Sequence, residues 1–342
     1  MAISSLELEN FTAFRRLNLE LAPRLNVFIG TNGTGKTHLL KVAYAACAIT
    51  TEQRPFAEKL ERIFLPSHRR IGRMVRRQAG RSHARVTVRR PGSQISVTFS
   101  NLSQAARGAA ETGTSGWLAC KIPAAFIPVK EMLANAPGFR SLYALREIHF
   151  EEVYADILDR AYLNVPRKPS DPARRKLLAT LQEQMDGRVV VDDETFFLHN
   201  KQGNLEFTLL SEGYRKLGLL WLLIQNGALV PGSALVWDEP EANMNPTSTG
   251  PLMEVLLELS RLEVQVFLAT HDYSVLKELE LRARPEDAAR YHGLYRDGAS
   301  GDILCESHPR PFDIVHSAIS GAMSSLYDRE LERAALSARQ HP

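Results

Sequence analysis

The chain has 342 residues, 44% apolar, with a formal net charge of +3, so it can bury a sizeable core as one large α/β domain or two ordinary ones. It opens with no basic flank leading into an apolar run, and the longest apolar candidate, Leu217 to Ile224, is far short of a membrane span, so a cytoplasmic protein is expected. Cys47, Cys120 and Cys305 are widely spaced without ligand pairing, which excludes a disulfide framework and a zinc site.

Alternation over Ile3 to Glu9 and over Phe14 to Leu21 predicts two half-buried strands about a turn at Thr12-Ala13. The apolar run Leu25 to Ile29 predicts a buried strand leading into Gly30-Thr31-Asn32-Gly33-Thr34-Gly35-Lys36-Thr37 and a helix to about Ala48. That turn has the pattern of a phosphate-binding loop. Its glycines let backbone N–H groups point at an anion, and the following helix adds its positive end. The residues expected to hold a nucleotide are Asn32, Gly33, Thr34, Gly35, Lys36, Thr37 and His38, with Lys36 reaching the β- and γ-phosphates and the Thr37 hydroxyl ligating Mg²⁺.

Beyond this helix the charge is unevenly spread. From Arg62 to Ala110 there are eleven arginines and no Asp or Glu, so the rest of the chain sums to −8. Arg69 to Arg90 therefore reads as a surface for nucleic-acid phosphates, or else as a solvated basic face or one that meets an acidic partner. Pro55 to Met74 reads as irregular or helical, Arg85 to Arg90 and Gln94 to Ser100 as strands joined across Pro91-Gly92, and Ala124 to Val129 as a buried strand. Helical spacing then predicts one helix over Phe139 to Leu163, broken by Pro166 and Pro169, and a second from Asp171-Pro172 to about Met185. Arg188 to Leu198 and Asn204 to Leu210 read as strands about Lys201-Gln202-Gly203.

Three further stretches carry chemistry. Ser211 and Gly213 open the apolar helix Leu217 to Ile224, where a hydroxyl and free N–H groups can face an anion, although Ser-Glu-Gly is also an ordinary cap. The strand Ala234 to Trp237 ends in Asp238-Glu239; the Asp can hold Mg²⁺ opposite Thr37, and the Glu can take a proton from an attacking water. Val264 to Ala269 is a similar strand, ending at Thr270-His271, which places His271 to donate a hydrogen bond to the γ-phosphate. The catalytic set expected is Glu239, His271 and Lys36, and the metal set is Thr37 and Asp238.

In this order the four signals resemble the ATP-binding-cassette type of ATPase head, within the prokaryotic AAA-labelled group related to RecF, SMC and OLD-family proteins. The resemblance implies an α/β P-loop NTPase of ABC-ATPase type, with a mixed sheet, an antiparallel subdomain and an inserted helical lobe. It divides the chain into a first nucleotide-binding part (1–130), a helical lobe with the signature (131–227) and a second nucleotide-binding part (228–342). It further implies that Ser211 and Gly213 act in trans on the γ-phosphate of ATP held by a second subunit, in an ATP-dependent homodimer or higher oligomer. Glu212 and Tyr214 replace the usual glycine and glutamine of the signature, and Asn243-Met244-Asn245-Pro246 stands where relatives carry Leu-His-Pro. Lys130 or Glu131 occupies the place of the glutamine that senses Mg²⁺.

The insertion is too short for an SMC coiled coil, and only about seventy residues follow His271, where OLD-family proteins add a nuclease. The expected function is an ATP-hydrolysing switch that acts on nucleic acid or on a separate effector such as a nuclease or toxin, in DNA repair or anti-phage defence. An ATP-dependent scaffold or sensor with little hydrolysis is the alternative.

Overall fold

A computed structural model describes residues 2–145, 148–166 and 171–340, with side chains described as far as residue 334. Strands β1 (Ser5–Phe11) and β2 (Phe14–Glu20) pair antiparallel about Thr12-Ala13, and the fully buried β3 (Leu25–Gly30) leads to helix α1 (Lys36–Glu52). Helix α2 (Phe56–Phe64) and two short 3₁₀ turns precede β4 (His83–Arg90), β5 (Ser93–Ser100) and β6 (Ala110–Thr112). Next come α3 (Thr114–Leu118), β7 (Ala124–Ile127), α4 (Phe139–Leu145), α5 (Glu152–Ala161) and α6 (Pro172–Met185). A small meander, β8 (Arg188–Asp192), β9 (Thr195–Asn200) and β10 (Gly203–Glu206), leads to α7 (Glu212–Gln225). The chain then alternates β11 (Ala234–Asp238), α8 (Pro246–Arg261), β12 (Gln265–Thr270) and α9 (Tyr273–Arg282), and continues through β13 (Ala289–Arg296), β14 (Ile303–His308) and α10 (Ala318–Gln340).

Two sheets enclose α1. The antiparallel one has the order β2-β1-β4-β5-β6; the other, β14-β13-β3-β12-β11-β7, is parallel except for β14. Because strand side chains alternate in direction, each strand of the parallel sheet feeds two cores. Val27, Ile29, Trp237 and Leu268 join the core shared with α5 to α9, whereas Phe28, Val236 and Phe267 face α1 and the antiparallel sheet. Thirteen of the 17 residues of α1 are buried, and the alanines at 43, 45, 46 and 48 keep the helix slim enough to be packed on both sides. Each large apolar side chain so buried stabilises the fold by roughly 1.5–3 kcal/mol.

The register decides where the chemistry meets. Asp238 lies opposite Ala269 across β11 and β12, and Thr270 lies opposite Ile29 across β12 and β3. The carboxyl ends of three neighbouring strands thus bring the glycine loop, Asp238-Glu239 and His271 to one edge, where ligands bind in open α/β sheets.

Four local expectations are corrected. The helix expected over Phe139 to Leu163 is two helices: Glu151 sits in extended backbone as the cap of α5, and Phe150 packs edge-on against both Phe139 and Tyr154 instead of continuing a turn; residues 146–147 and the Pro169 breaker lie outside the described residues. The strand expected over Arg188 to Leu198 is a hairpin, reversed at Asp193 in left-handed conformation (φ 53°). The strand expected to reach Leu210 stops at Glu206, since buried Phe207 starts a 3₁₀ turn. Finally, Glu131 does not face the strand edge as a metal sensor: it is buried, pairs with Arg215 at 2.9 Å and accepts from Leu133 N–H.

Candidate functional site

The loop after β3 is pressed from two sides. A Cβ on Gly30 would fall 2.5 Å from the Leu294 carbonyl oxygen on β13, and one on Gly35 (φ +89°) would fall 2.5 Å from the Phe14 ring, so neither place accepts a side chain. Within the loop the Thr34 hydroxyl donates to Thr31 O at 2.9 Å, Gly33 takes a φ of +80°, and Asn32 is exposed. Lys36 is buried and folds back across this curl, its Nζ donating to Gly30 O at 2.8 Å and Thr31 O at 3.2 Å. Burial lowers its pKa, while Glu239, Asp238 and Glu241 push it back up. His38 turns its ring toward Phe64, and burial with the neighbouring Lys41 pushes its pKa down to about 4, so it is neutral.

Asp238 is buried at the end of β11, and its Oδ2 accepts the Thr37 hydroxyl at 2.7 Å. Burial raises its pKa, and the Thr37 hydrogen bond opposes the shift. Glu239 follows in left-handed conformation (φ 49°), a backbone state that costs a non-glycine residue roughly 1–2 kcal/mol and clusters at functional positions. That turn brings its carboxylate to 3.1 Å from His271 Nδ1. Glu241 supports the pair from below, accepting from the Thr270 hydroxyl at 2.6 Å and from His271 N–H at 3.2 Å.

A hydroxyl and a carboxylate are the hard oxygen donors a magnesium ion takes, and two protein oxygens leave room for phosphate and water ligands. Among the described residues there is no cluster of three or more His, Cys, Asp or Glu that would form an all-protein metal cage. The Thr37–Asp238 pair therefore fits Mg²⁺ only together with a nucleotide.

The signature residues sit elsewhere. Ser211 caps α7, its hydroxyl accepting from Tyr214 N–H at 3.5 Å, and Glu212 accepts from Asn243 Nδ2 at 2.7 Å. A Cβ on Gly213 would lie 3.1 Å from Asn243 O. Glu212 and Gly213 thus hold the start of α7 against the turn after Glu239, and no described hydrogen bond joins Ser211 or Gly213 to residues 30–38 of their own chain.

Residues 1–45 match the family described as "AAA ATPase domain", and residues 126–277 match "AAA domain, putative AbiEii toxin, Type IV TA system". Over 90% of its length the chain superposes on 98% of the SMC head solved with the C-winged helix domain of ScpA, at a TM-score of 0.57 and 14% identity. The chain has the fold of an ABC-type AAA ATPase head. The SMC head domain from Thermotoga maritima is similar over 90% of this chain and 99% of that one, at a TM-score of 0.50 and 15% identity. Among curated proteins, the DNA replication and repair protein RecF of Acidothermus cellulolyticus is 53% identical over 47 residues, which are 14% of this chain and 13% of the relative's own length.

Within this head, some functional neighbours escaped the sequence. Lys216 is wholly buried, donating to Ala242 O at 2.7 Å and Glu239 O at 3.4 Å, and so ties α7 to the turn that carries Glu239. A lysine beside the apolar run Leu217 to Ile224 reads as surface; only its place on the buried face of α7 reveals it. Glu241 is a second such residue: it lies just past Asp238-Glu239, and its contact with Thr270 follows from the pairing of β11 with β12.

The basic segment also divides. Arg90 belongs to the core, stacked on Trp117 and bonded to the carbonyls of Gly116, Trp117 and Cys120. Arg89 pairs with Glu7, Arg85 with Glu9, Arg76 with Asp302, and Arg62 with Glu58 and Glu152. From Arg69 to Arg90, six arginines are exposed, and of these Arg69, Arg70, Arg73, Arg77 and Arg81 make no ion pair among the described residues, whereas Arg85 meets Glu9. The loop bearing them is held firmly, with Thr12 N–H donating to Met74 O and Arg76 N–H to Asn10 O, both at 2.7 Å. Among the described residues no helix is long and apolar enough to cross a membrane.

Proposed function

We propose that this head is an ATP-binding and ATP-hydrolysing switch that closes as a dimer around nucleotide and acts on nucleic acid or on a separate effector protein. The observation that carries the reading is the meeting, at neighbouring strand ends, of the Thr37–Asp238 contact at 2.7 Å with the Glu239–His271 contact at 3.1 Å.

The glycine loop and the start of α1 present N–H groups to the phosphates, and Lys36 exchanges two carbonyl partners for phosphate oxygens. Mg²⁺, when bound, neutralises charge on the phosphates. Thr37 and Asp238 would hold it. Glu239 accepts from His271 through one oxygen and keeps the other to take a proton from water. His271 pairs with Glu239 through Nδ1, which leaves its other ring nitrogen to meet the γ-phosphate.

Ser211 and Gly213 stand at the start of α7, where the Ser211 hydroxyl caps Tyr214 N–H and neither residue bonds to residues 30–38 of its own chain among the described residues, which supports a role on nucleotide held by a second copy. The exposed Arg69, Arg70, Arg73, Arg77 and Arg81, which make no ion pair among the described residues, support contact with nucleic acid. The toxin–antitoxin wording of the matched family, the RecF relatives and an SMC head solved with a partner protein support work in DNA repair or anti-phage defence, with a nuclease or toxin as effector.

Replacing Glu239 by Gln tests the proposal: ATP should still bind, while phosphate release slows by roughly 10²- to 10⁴-fold. Turnover at the parent rate would remove Glu239 as the base.

A further inference from the structure

A groove of about 690 Å³ opens beside the phosphate loop. Thr31, Asn32 and His271 line one side, and α10 makes the other through residues at helical spacing that begin with Ile319 and run through Leu326 to Arg329. The stripe is apolar until its last member, which is a cation. At its root α10 is seated, because Ile319 packs against the core of the parallel sheet and Phe312, just upstream, meets Tyr273 at 5.4 Å. Farther along, Leu326, Tyr327 and Leu331 are exposed and take no part in the core, while Leu326 and Arg329 line the groove.

Arg329 Nε donates to Ser325 O at 3.3 Å on its own helix, and its terminal amino groups have no hydrogen bond or ion pair among the described residues. The acid in the groove wall, Asp272, caps α9 through Oδ1, which accepts from Ser274 and Val275 N–H, and it makes no ion pair with Arg329. A guanidinium that makes no ion pair among the described residues therefore shares a groove with a loop shaped for an anion. Asn32 of the loop and His271 at the end of β12 both line the groove, so a terminal phosphate that Lys36 and His271 share would face it.

We propose that Arg329 contacts the terminal phosphate of a nucleotide held by its own chain, so that α10 distinguishes triphosphate from diphosphate. The inference rests on the nucleotide reading of the Gly30–Thr37 loop. A planar guanidinium can bond two oxygens of one phosphate at once, which a lysine at the same place can do only in part.

Calorimetry on the full chain with Mg²⁺ and either ADP or the β,γ-imido analogue of ATP, which is not hydrolysed, reads the effect as binding. Arg329→Gln should weaken the triphosphate analogue by about 10- to 100-fold and leave ADP within about twofold, and Arg329→Lys should restore part of the difference. Equal losses for both nucleotides, or no loss for either, would overturn it. Lys36→Ala, measured alongside, separates the two readings. If that variant loses both nucleotides while Arg329→Gln changes nothing, the loop reading stands and the α10 proposal falls; if it binds both as the parent does, both fall.

Discussion

Replacing Asp156 by Asn should reverse part of the pH dependence of stability. Asp156 Oδ2 accepts from the Tyr44 hydroxyl at 2.8 Å and from Lys59 Nζ at 2.7 Å, joining α5 to α1 and α2. Lys59 is wholly buried and also meets Glu52 at 2.7 Å and Glu152 at 3.4 Å, so three carboxylates share one ammonium. Burial pushes the Asp156 pKa up to about 6; Lys59 opposes the shift, and Glu152 and Glu52 add to it. The folded pKa thus exceeds the unfolded value of 3.8, and the fold prefers the protonated acid. The stabilisation from that proton is complete below the unfolded value and is lost as pH rises through about 6. A gap of about two units corresponds to roughly 3 kcal/mol at neutral pH. Asn keeps an oxygen for Tyr44 and Lys59 but cannot ionise. Measured by urea unfolding, the stability of Asp156→Asn relative to the parent should rise by roughly 2–3 kcal/mol between pH 4 and pH 7.5. A difference that stays constant across that range would refute the reasoning.

Two other substitutions probe the surfaces of the head. Ser211→Arg should keep ATP affinity, since the phosphate loop is untouched, yet abolish ATP-driven association by filling the space for a partner's γ-phosphate; normal pairing by light scattering would remove the trans role. Changing Arg69, Arg70, Arg73, Arg77 and Arg81 to glutamine should weaken duplex binding and flatten its log–log salt dependence by up to roughly 0.9 for each arginine–phosphate pair removed, with ATP binding intact. A parent protein with no affinity for DNA or RNA at low salt would defeat that reading.

The sequence displayed the strand–glycine loop–helix unit and the strands ending at Asp238 and Thr270 because burial on both faces makes them continuous apolar runs bounded by polar chemistry. It displayed little of what stabilises those ends. The left-handed turn at Glu239 and the Glu241–Thr270 contact depend on the pairing of β11 with β12, which no local pattern encodes. The split of Phe139 to Leu163 was hidden because Phe150 and Tyr154 keep helical spacing, although Phe150 lies outside both helices with its ring between Phe139 of α4 and Tyr154 of α5. Arginine count misled for a related reason: composition cannot separate Arg90, packed on Trp117, from Arg77 in solvent.

The strand order has a consequence for synthesis. β3 pairs only with β12 and β13, which follow it by roughly 230 residues or more, whereas the antiparallel sheet is complete by Thr112. At the usual elongation of about 5–20 residues per second, the strand that feeds the phosphate loop waits on the order of tens of seconds for its neighbours. Through that interval one face of α1 has its antiparallel sheet to pack on, while the apolar edges of β3 remain unpaired. The nascent chain is therefore most exposed to aggregation between completion of its first sheet and emergence of β13, and slowed translation within α6 to α8 should lower the yield of folded protein more than slowing beyond β14.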